Sequence, residues 1–514
     1  MPQGGLRGAT IVLSAIVAIV VDQTASAIAN AGLPYLSATT GASPDEASWL
    51  LTAFNAAYYA MILFSPWMMA RVGRKRLIVA ALVGFAFASA LLGPTSDYHA
   101  FVALRFAQGA FLGCVFVPAA LLLFTSLPTS LLKYAPPAFV CITLSAATLG
   151  TVVGAYVADT YGASAIFIPG CAATLLTALA IALSVNAKDA PQRALSFDAI
   201  GLTLSVTTFG ALQFLANEGE RRNWFDDPSI VAGALVLALA LPAFVGYELA
   251  LTRVPHVDFR MFARHRNLAV GGIINLTLGV ASYSVTLFIG YLQSSLGVTA
   301  TESGAVVLIR VCTYALGIPA AFLLASRKIV DLRVVVATGV VGTALALLAF
   351  SQSMTTTAEG ASFVGLSLVF GFFFGMMNQP MGTLVIGSMP LALLAAGVSI
   401  YKISSPMGAM LGTGMLQTLL DHRLVGIRSD LAGRVTLGRA PVDAYVNAHH
   451  GNAAGLNGLV GAQAQTLVYA ELTALLAAIA LIVIPVVCFA DLTPPRPAGP
   501  PAPAAADAGE TQRA

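Results

Sequence analysis

Long uninterrupted apolar stretches alternate with short polar or basic turns along almost the whole chain, and this pattern predicts helices that cross a lipid bilayer. A hydrocarbon core of about 30 Å asks for roughly 20 apolar residues in helical form. A helix suits that setting because it satisfies its own backbone polar groups without water. Fourteen stretches meet the requirement, starting near Thr10, Ala47, Leu77, Phe101, Pro137, Ser164, Ala199, Ile230, Ala269, Gly304, Val334, Phe363, Val398 and Leu467. The expected fold class is therefore an all-α polytopic membrane protein, and an even number of crossings puts both termini on one side.

The loops carry the charge pattern that orients such a chain, because basic residues collect in short cytoplasmic loops. With a cytoplasmic N-terminus, that side holds seventeen of the 26 Lys and Arg residues, among them Arg71, Arg74, Lys75, Arg76, Arg260, Arg264, Arg266, Arg327 and Arg333. The opposite side has Arg221 and Arg222 in short loops and four arginines in one long loop, and three cations lie inside spans. The expected location is a bacterial inner membrane with both termini cytoplasmic. A cleavable signal peptide is the competing reading of the N-terminus, from Arg7, the apolar run and Ala25, Ser26 and Ala27. It would remove the helix that holds Asp22.

Composition narrows the function classes. Only 10% of the 514 residues are charged and 58% are hydrophobic, against roughly 25% charged in a soluble domain. The net charge of +3 is too small to imply nucleic-acid binding. The five cysteines all sit in apolar runs without metal-type spacing and read as packing residues. All six histidines fall in loops, so no helix offers a haem or zinc pair, and no phosphate loop appears. An enzyme, a metal site and a bound cofactor are not expected, and a gradient rather than ATP is the expected energy source.

Two segments stand outside the spans. Residues 421–466 are polar and rich in Gly and Asn, and read as a long periplasmic loop; residues 494–514 are Pro/Ala-rich and read as a disordered cytoplasmic tail. The rest contains a repeat. Gly109, Gly113 and Pro118 in the fourth span have the spacing of Gly371, Gly375 and Pro380 in the twelfth, and Gly150 and Gly154 are matched by Gly408 and Gly412 in the helix that follows each. Parallel repeats of six helices are the architecture of a rocking-bundle carrier with its site near the midplane. The expected domains are a six-helix bundle in 1–185, two inserted helices in 186–268 and a second bundle in 269–493.

Ionisable groups inside a membrane are costly and are functional candidates for that reason. Asp22 lies in the first span, Arg105 and Gln108 one turn apart in the fourth, Arg310 in the tenth and Lys402 early in the thirteenth. Asp22 with Arg105 is the expected coupling pair, since a partly dry carboxylate beside a cation can exchange protons in the physiological range. A permanent structural ion pair is the alternative. Three intramembrane cations against one anion suggest a cavity suited to anionic substrates. Asn55, Tyr58, Tyr59, Asn378 and Gln379 are further cavity candidates, with interhelical bonding as their structural alternative. Glu248 ends the eighth span, where a long side chain reaches water.

Several of these stretches resemble a known family. Asp22 followed by Asn30-Ala-Gly-Leu-Pro34 is similar to a first-helix motif, with three extra residues between. Pro66 to Arg76 resembles a superfamily loop in which Arg71, Gly73, Arg74 and Lys75 match while Ala70 replaces an aspartate. Arg105-Phe-Ala-Gln108-Gly109 matches R-x-x-Q-G, and Gly150 to Ala155 resembles the fifth-helix antiporter motif. Asn223-Trp224-Phe225-Asp226 and Val257-Asp258-Phe259 resemble features around the two extra helices, while Ser404 stands where an arginine is usual. Together they resemble the fourteen-helix drug:proton antiporter branch of the major facilitator superfamily.

The resemblance implies proton-coupled multidrug efflux by alternating access. Asp22, Arg105 and Gln108 would couple protons. Arg71, Gly73, Arg74, Lys75, Gly150 and Gly154 would gate the conformational change. Asn55, Tyr58, Tyr59, Arg310, Asn378, Gln379 and Lys402 would line the substrate cavity. Implied partners are a small-molecule substrate, protons, the lipid bilayer and, in double-membraned bacteria, a periplasmic adaptor protein with an outer-membrane channel, for which 421–466 is the expected docking region. An importer, an exporter of one endogenous metabolite and a non-transporting membrane sensor remain open beside this reading.

Overall fold

Each apolar stretch is helical in the computed structural model, which describes residues 5–31, 43–128, 130–185, 197–252, 255, 257–327, 329–387, 389–390, 393–436, 439–448 and 453–490. The helices are α1 Gly5–Ala31, α2 Pro44–Val72, α3 Arg74–Leu92, α4 Tyr98–Gly113, α5 Phe116–Ser126, α6 Ala135–Tyr161, α7 Phe167–Ser184, α8 Ala199–Glu218 and α9 Pro228–Gly246. They continue as α10 Arg260–Arg264, α11 Arg266–Ser294, α12 Ala300–Ser326, α13 Leu332–Ser353, α14 Phe363–Gly387, α15 Leu394–Arg434, α16 Ala440–Ala448, α17 Ala453–Leu481 and α18 Val483–Cys488. Among the described residues twelve helical spans are long and apolar enough to cross a membrane, with α4 and α5 forming one of them and α17 and α18 another. The remaining two predicted crossings are α7, whose apolar stretch is shorter, and α15, which carries Lys402, Ser404 and Ser405 in its first half.

Short-range chemistry sets the ends. Ser43 and Glu46 form a reciprocal capping box on α2, and Thr299 and Glu302 do the same for α12. Asp97, Asp198, Asp227 and Asp331 each accept a backbone N–H at the start of α4, α8, α9 and α13. Between α2 and α3 one residue makes the whole turn: Gly73 adopts φ 91°, a conformation open to glycine without a Cβ clash.

The packing reproduces the repeat. In the first half α1 packs on α6, α2 on α4 and α3 on α7; in the second half α11 packs on α15, α12 on α14 and α13 on α17–α18. The predicted glycines make these contacts close. A Cβ on Gly109 or Gly113 would lie 2.2 or 2.5 Å from the carbonyl oxygen of Phe54 or Tyr58. A Cβ on Gly371 or Gly375 would lie 2.4 or 2.8 Å from that of Arg310 or Tyr314. Phe54 and Arg310 therefore occupy equivalent places, four residues before the equivalent Tyr58 and Tyr314. A further pair obeys the same relation: Gln23 Nε2 donates to the Thr143 carbonyl at 3.4 Å, and Asn275 Nδ2 donates to the Tyr401 carbonyl at 2.8 Å.

Helices α8 and α9 pack on each other and straddle the halves, α8 touching both α2 and α15. Phe214 stacks on Trp49 with ring centroids 5.1 Å apart, and Asn217 donates to Thr52 Oγ1 at 3.4 Å. On the other side the α8–α9 turn sends Trp224 against α15, where its Nε1 donates to Thr418 Oγ1 at 2.8 Å. Glu248, expected to reach water, is instead buried, and its Oε2 accepts the Val257 backbone N–H at 3.4 Å.

The segment 421–466, expected as a long loop between spans, is largely helical among the described residues. Helix α15 runs 41 residues, roughly 60 Å at the α-helical rise and twice a bilayer core. It continues past the membrane as helix to Arg434, beside the start of α17. Arg423 holds Glu471 at 2.7 Å and Arg428 Nη2 donates to Asn457 at 3.2 Å. A helix outside the bilayer can be polar on every exposed face. The tail 494–514 lies outside the described residues.

Candidate functional site between the two halves

Asp22 is fully buried on α1 and meets side chains from two other helices. Tyr58 of α2 donates its hydroxyl to the carboxylate, 3.2 Å from Oδ1 and 3.0 Å from Oδ2. Lys402 of α15 places Nζ 3.8 Å from Oδ2. The same ammonium donates to Gln23 Oε1 and stands 4.3 Å from the centre of the Phe116 ring on α5. A carboxylate and an ammonium taken out of water need each other and further polar partners to offset desolvation. Here a tyrosine, a glutamine and a ring face supply them.

Local structure aims these groups. Thr24 Oγ1 donates to the Ala146 carbonyl at 3.2 Å, and the absence of a side chain at Gly150 lets α6 press on the backbone of Thr24. These contacts fix the rotation of α1, so that Asp22 and Gln23 point at the second half. Lys402 is the only one of the four polar groups that comes from that half. The ion pair therefore crosses the interface between the halves. The seal around it is apolar: a buried cluster runs from α1, α2 and α5 into Ile318, Val385, Val398, Ile400 and Ile403. Phe322 meets Tyr134 with centroids 5.3 Å apart on the same side as the Arg71–Arg76 turn.

Arg105 does not pair with Asp22, which corrects the expected coupling pair. Its Nε donates to the Leu50 carbonyl at 3.2 Å, Nη1 to Gln108 Oε1 at 2.5 Å, and the guanidinium lies 4.3 Å from the Phe54 ring centre. Gln108 Nε2 in turn donates to Ser89 Oγ at 2.8 Å. All of these partners belong to the first bundle.

Arg310 is likewise enclosed by its own bundle. Its guanidinium stands 4.4, 4.8 and 4.8 Å from the ring centres of Phe288, Phe350 and Phe370, and Nε donates to Ser367 Oγ at 3.5 Å. Nη2 of Arg105 and Nη1 of Arg310 are buried with no hydrogen-bond partner among the described residues. The two guanidiniums fill equivalent pockets of the repeat from opposite helices. Arg105 comes from α4 and lies over Phe54; Arg310 stands at the place of Phe54 and reaches Ser367, the counterpart of Arg105. The cation surplus counted in the sequence is therefore split between two bundle interiors and does not converge on one cavity.

The other candidates scatter. Tyr59 packs at 5.4 Å from Tyr58 and 6.1 Å from Phe209, and Asn55 is half-buried. Asn378 spends its amide on the Phe374 carbonyl one turn back, at 2.9 Å; the Gln379 side chain lies outside the described residues. At the basic turn Arg71 lies over Trp67 at 5.5 Å and Arg74 donates to Thr125 Oγ1 at 2.8 Å, while Lys75 stays half-exposed. Gly154 is buried one turn after Gly150. Gln23 and Phe116 were missed. Gln23 was legible as a second polar group beside Asp22 in an otherwise apolar helix, whereas nothing local distinguishes Phe116.

A family model described as Major Facilitator Superfamily matches residues 15–263, from the helix of Asp22 through the inserted pair. The chain belongs to the major facilitator superfamily. Among superfamily relatives, the multidrug export protein EmrB of Escherichia coli (strain K12) is 24% identical over 432 residues, 82% of each chain. The tetracenomycin C resistance and export protein of Streptomyces glaucescens is 25% identical over 454 residues, 85% of this chain and 81% of that one. The fatty acid resistance protein FarB of Neisseria gonorrhoeae is 27% identical over 305 residues, and the match spans 59% of this chain and 60% of FarB. The superfamily fold is also seen in the proton:xylose symporter XylE, with a TM-score of 0.53 over 92% of this chain and 94% of that one at 14% identity. The POT family transporter PepTSo gives 0.56 over 93% and 99% at 13% identity. The chain is thus a superfamily transporter and not an enzyme, with bacterial drug exporters among its relatives.

Proposed function

We propose that this chain exports small amphiphilic or drug-like compounds across a bacterial inner membrane by alternating access, driven by inward movement of protons. The observation that carries the reading is the Asp22–Lys402 pair at 3.8 Å between the two halves. Residues 1–185 and 269–493 act as the rocking bundles, with both termini cytoplasmic and 186–268 as an inserted pair. While Asp22 is ionised, the pair ties α1 to α15 and offers both signs of charge to the polar end of a substrate. A proton arriving from the outer face neutralises Asp22, dissolves the tie and removes the substrate's charged anchor, so the compound leaves outward. Loss of the proton to the cytoplasm restores the pair. One charge crossing the membrane gains about 2.3 kcal/mol per 100 mV, enough for a useful concentration gradient.

The pair narrows the substrate preference suggested by the sequence. Among the described residues Lys402 is the one cation paired with Asp22, so dipolar and zwitterionic amphiphiles suit the site better than simple anions. The helical extension of α15 and α17 is the surface we assign to a periplasmic adaptor protein with its outer-membrane channel, in keeping with the drug-export relatives. The test is ethidium uptake into inverted vesicles under an imposed proton gradient. Wild-type protein should accumulate the dye, and Asp22→Asn and Lys402→Ala should each reduce the proton-dependent part at least tenfold at equal expression. Full transport by Asp22→Asn would remove the pair from the mechanism, and dye efflux in place of uptake would make the protein an importer.

A further inference from the structure

A large cavity lies away from the ion pair. It has a volume of about 980 Å³ and opens between α4 of the first bundle and α9 of the inserted pair, floored by α2 and α8. Its walls are Ala53, Ala56, Val102, Ala103, Phe106 and Val236, with Trp49 and Phe214 stacked at one end. All four helices contribute the half that lies away from the basic Arg71–Arg76 turn.

Three of the polar side chains at the rim are already bonded to protein. Tyr98 donates to the Glu46 carbonyl at 3.2 Å, Ser229 Oγ donates to Asp227 at 2.6 Å, and Thr52 accepts from Asn217. An apolar space of this kind does not hold water. Left empty, it would forfeit the dispersion contacts of every atom that lines it. The medium on its open side is hydrocarbon, since Phe106, Val231 and Val236 beside the mouth are exposed and α9 is among the least buried of the spans. The cavity is thus continuous with the lipid-facing surface.

We propose that this cavity is a binding site for an acyl chain of a phospholipid from the outer leaflet, wedged between the first bundle and the inserted helices. The chain lies along Ala53, Ala56, Ala103 and Gly210, and the polar head stays at the mouth beside His99. Small residues line the path because a hydrocarbon chain, and not a side chain, fills it. The occupied site holds α8 and α9 at a fixed spacing from α2 and α4.

Purified full-length protein in nanodiscs, containing phosphatidylethanolamine with a diazirine on one acyl chain, tests this directly. Photolysis should label peptides covering Val102–Phe106 and Ala232–Val236 above other lipid-facing helices. Ala103→Trp should lower that labelling at least fivefold, Gly210→Leu should do the same from the opposite wall, and Leu239→Trp, on the outer face of α9, should leave it unchanged. Retained labelling in both filled variants, each shown to be folded by its elution and melting, overturns the proposal. So does displacement of the label by ethidium at concentrations that saturate transport, which would give the cavity to the exported compound. Asp22→Asn should label as wild type does, so failure of the coupling reading leaves this result interpretable.

Discussion

Asp22 on α1 and Lys402 on α15 are 380 residues apart in sequence and 3.8 Å apart in space, joined across the interface of the two halves. Removing one member of a buried pair leaves an uncompensated charge and costs about 3–5 kcal/mol. Asp22→Ala and Lys402→Ala should therefore each lower the melting temperature in detergent. The exchange Asp22→Lys with Lys402→Asp should recover part of that loss. Transport should stay absent in the exchanged protein, because Tyr58 and Gln23 then face the wrong partners. A double variant no more stable than the singles would show that the two groups do not interact.

The glycines at the helix contacts are predicted to be sensitive in proportion to their clearance. A Cβ at Gly109 or Gly408 would meet a backbone carbonyl oxygen at 2.2 or 1.9 Å, whereas a Cβ at Gly304 would meet nothing from another helix within 4 Å. Overpacking of this kind costs about 1–3 kcal/mol. Thermal melts of Gly109→Ala and Gly408→Ala should fall by several degrees while Gly304→Ala holds or rises.

Arg310 should behave unlike a member of an ion pair. Its partners are three phenylalanine rings and Ser367, and a planar guanidinium stacks on rings in a way an ammonium does not. Arg310→Lys is expected to destabilise more than Arg310→Met, which substitutes apolar volume for an expensive buried cation. Equal melting temperatures for the two variants would count against the aromatic cage.

Trp224 is held in an unusual turn. It and Asn223 have φ of 51° and 53°, a region that non-glycine residues seldom adopt, and the indole N–H is shared between Glu220 and Thr418. Trp224→Phe should keep the ring but lose the tie to α15, lowering stability by about 1 kcal/mol. A cysteine placed at Thr418 should then react faster with a membrane-impermeant maleimide; an unchanged rate would show that the turn does not cover α15.

The same turn carries a pH dependence. Hydrogen bonds from the Ser229 hydroxyl and backbone N–H, with Arg222 beside them, hold the Asp227 carboxyl below its usual range. A depressed carboxylate pKa adds stability above the unfolded value, about 3.9, and that stability is lost as pH falls through the folded value. Melts between pH 3 and pH 7 should show a smaller acid-dependent loss for Asp227→Asn than for wild type; parallel curves would exclude the contribution.

Element identity was legible because a bilayer leaves little choice. An apolar run long enough to cross it becomes a helix. The glycine repeat was also readable, since a residue without a side chain marks where two backbones meet. The polar extension of α15 was not, because outside the bilayer the same composition serves either a loop or a solvated helix.

The sequence by itself determined that Asp22, Arg105 and Arg310 would lie inside spans, since their neighbours along the chain are apolar and those helices have nowhere else to go, and it put Lys402 early in another helix. Only the tertiary structure decided who faces whom. A charge pair is a matter of a few ångströms, and those are set by helix rotation and crossing, here by Thr24, Gly150 and Phe54. That geometry sends Arg105 into its own bundle and brings Lys402, from the far end of the chain, to Asp22.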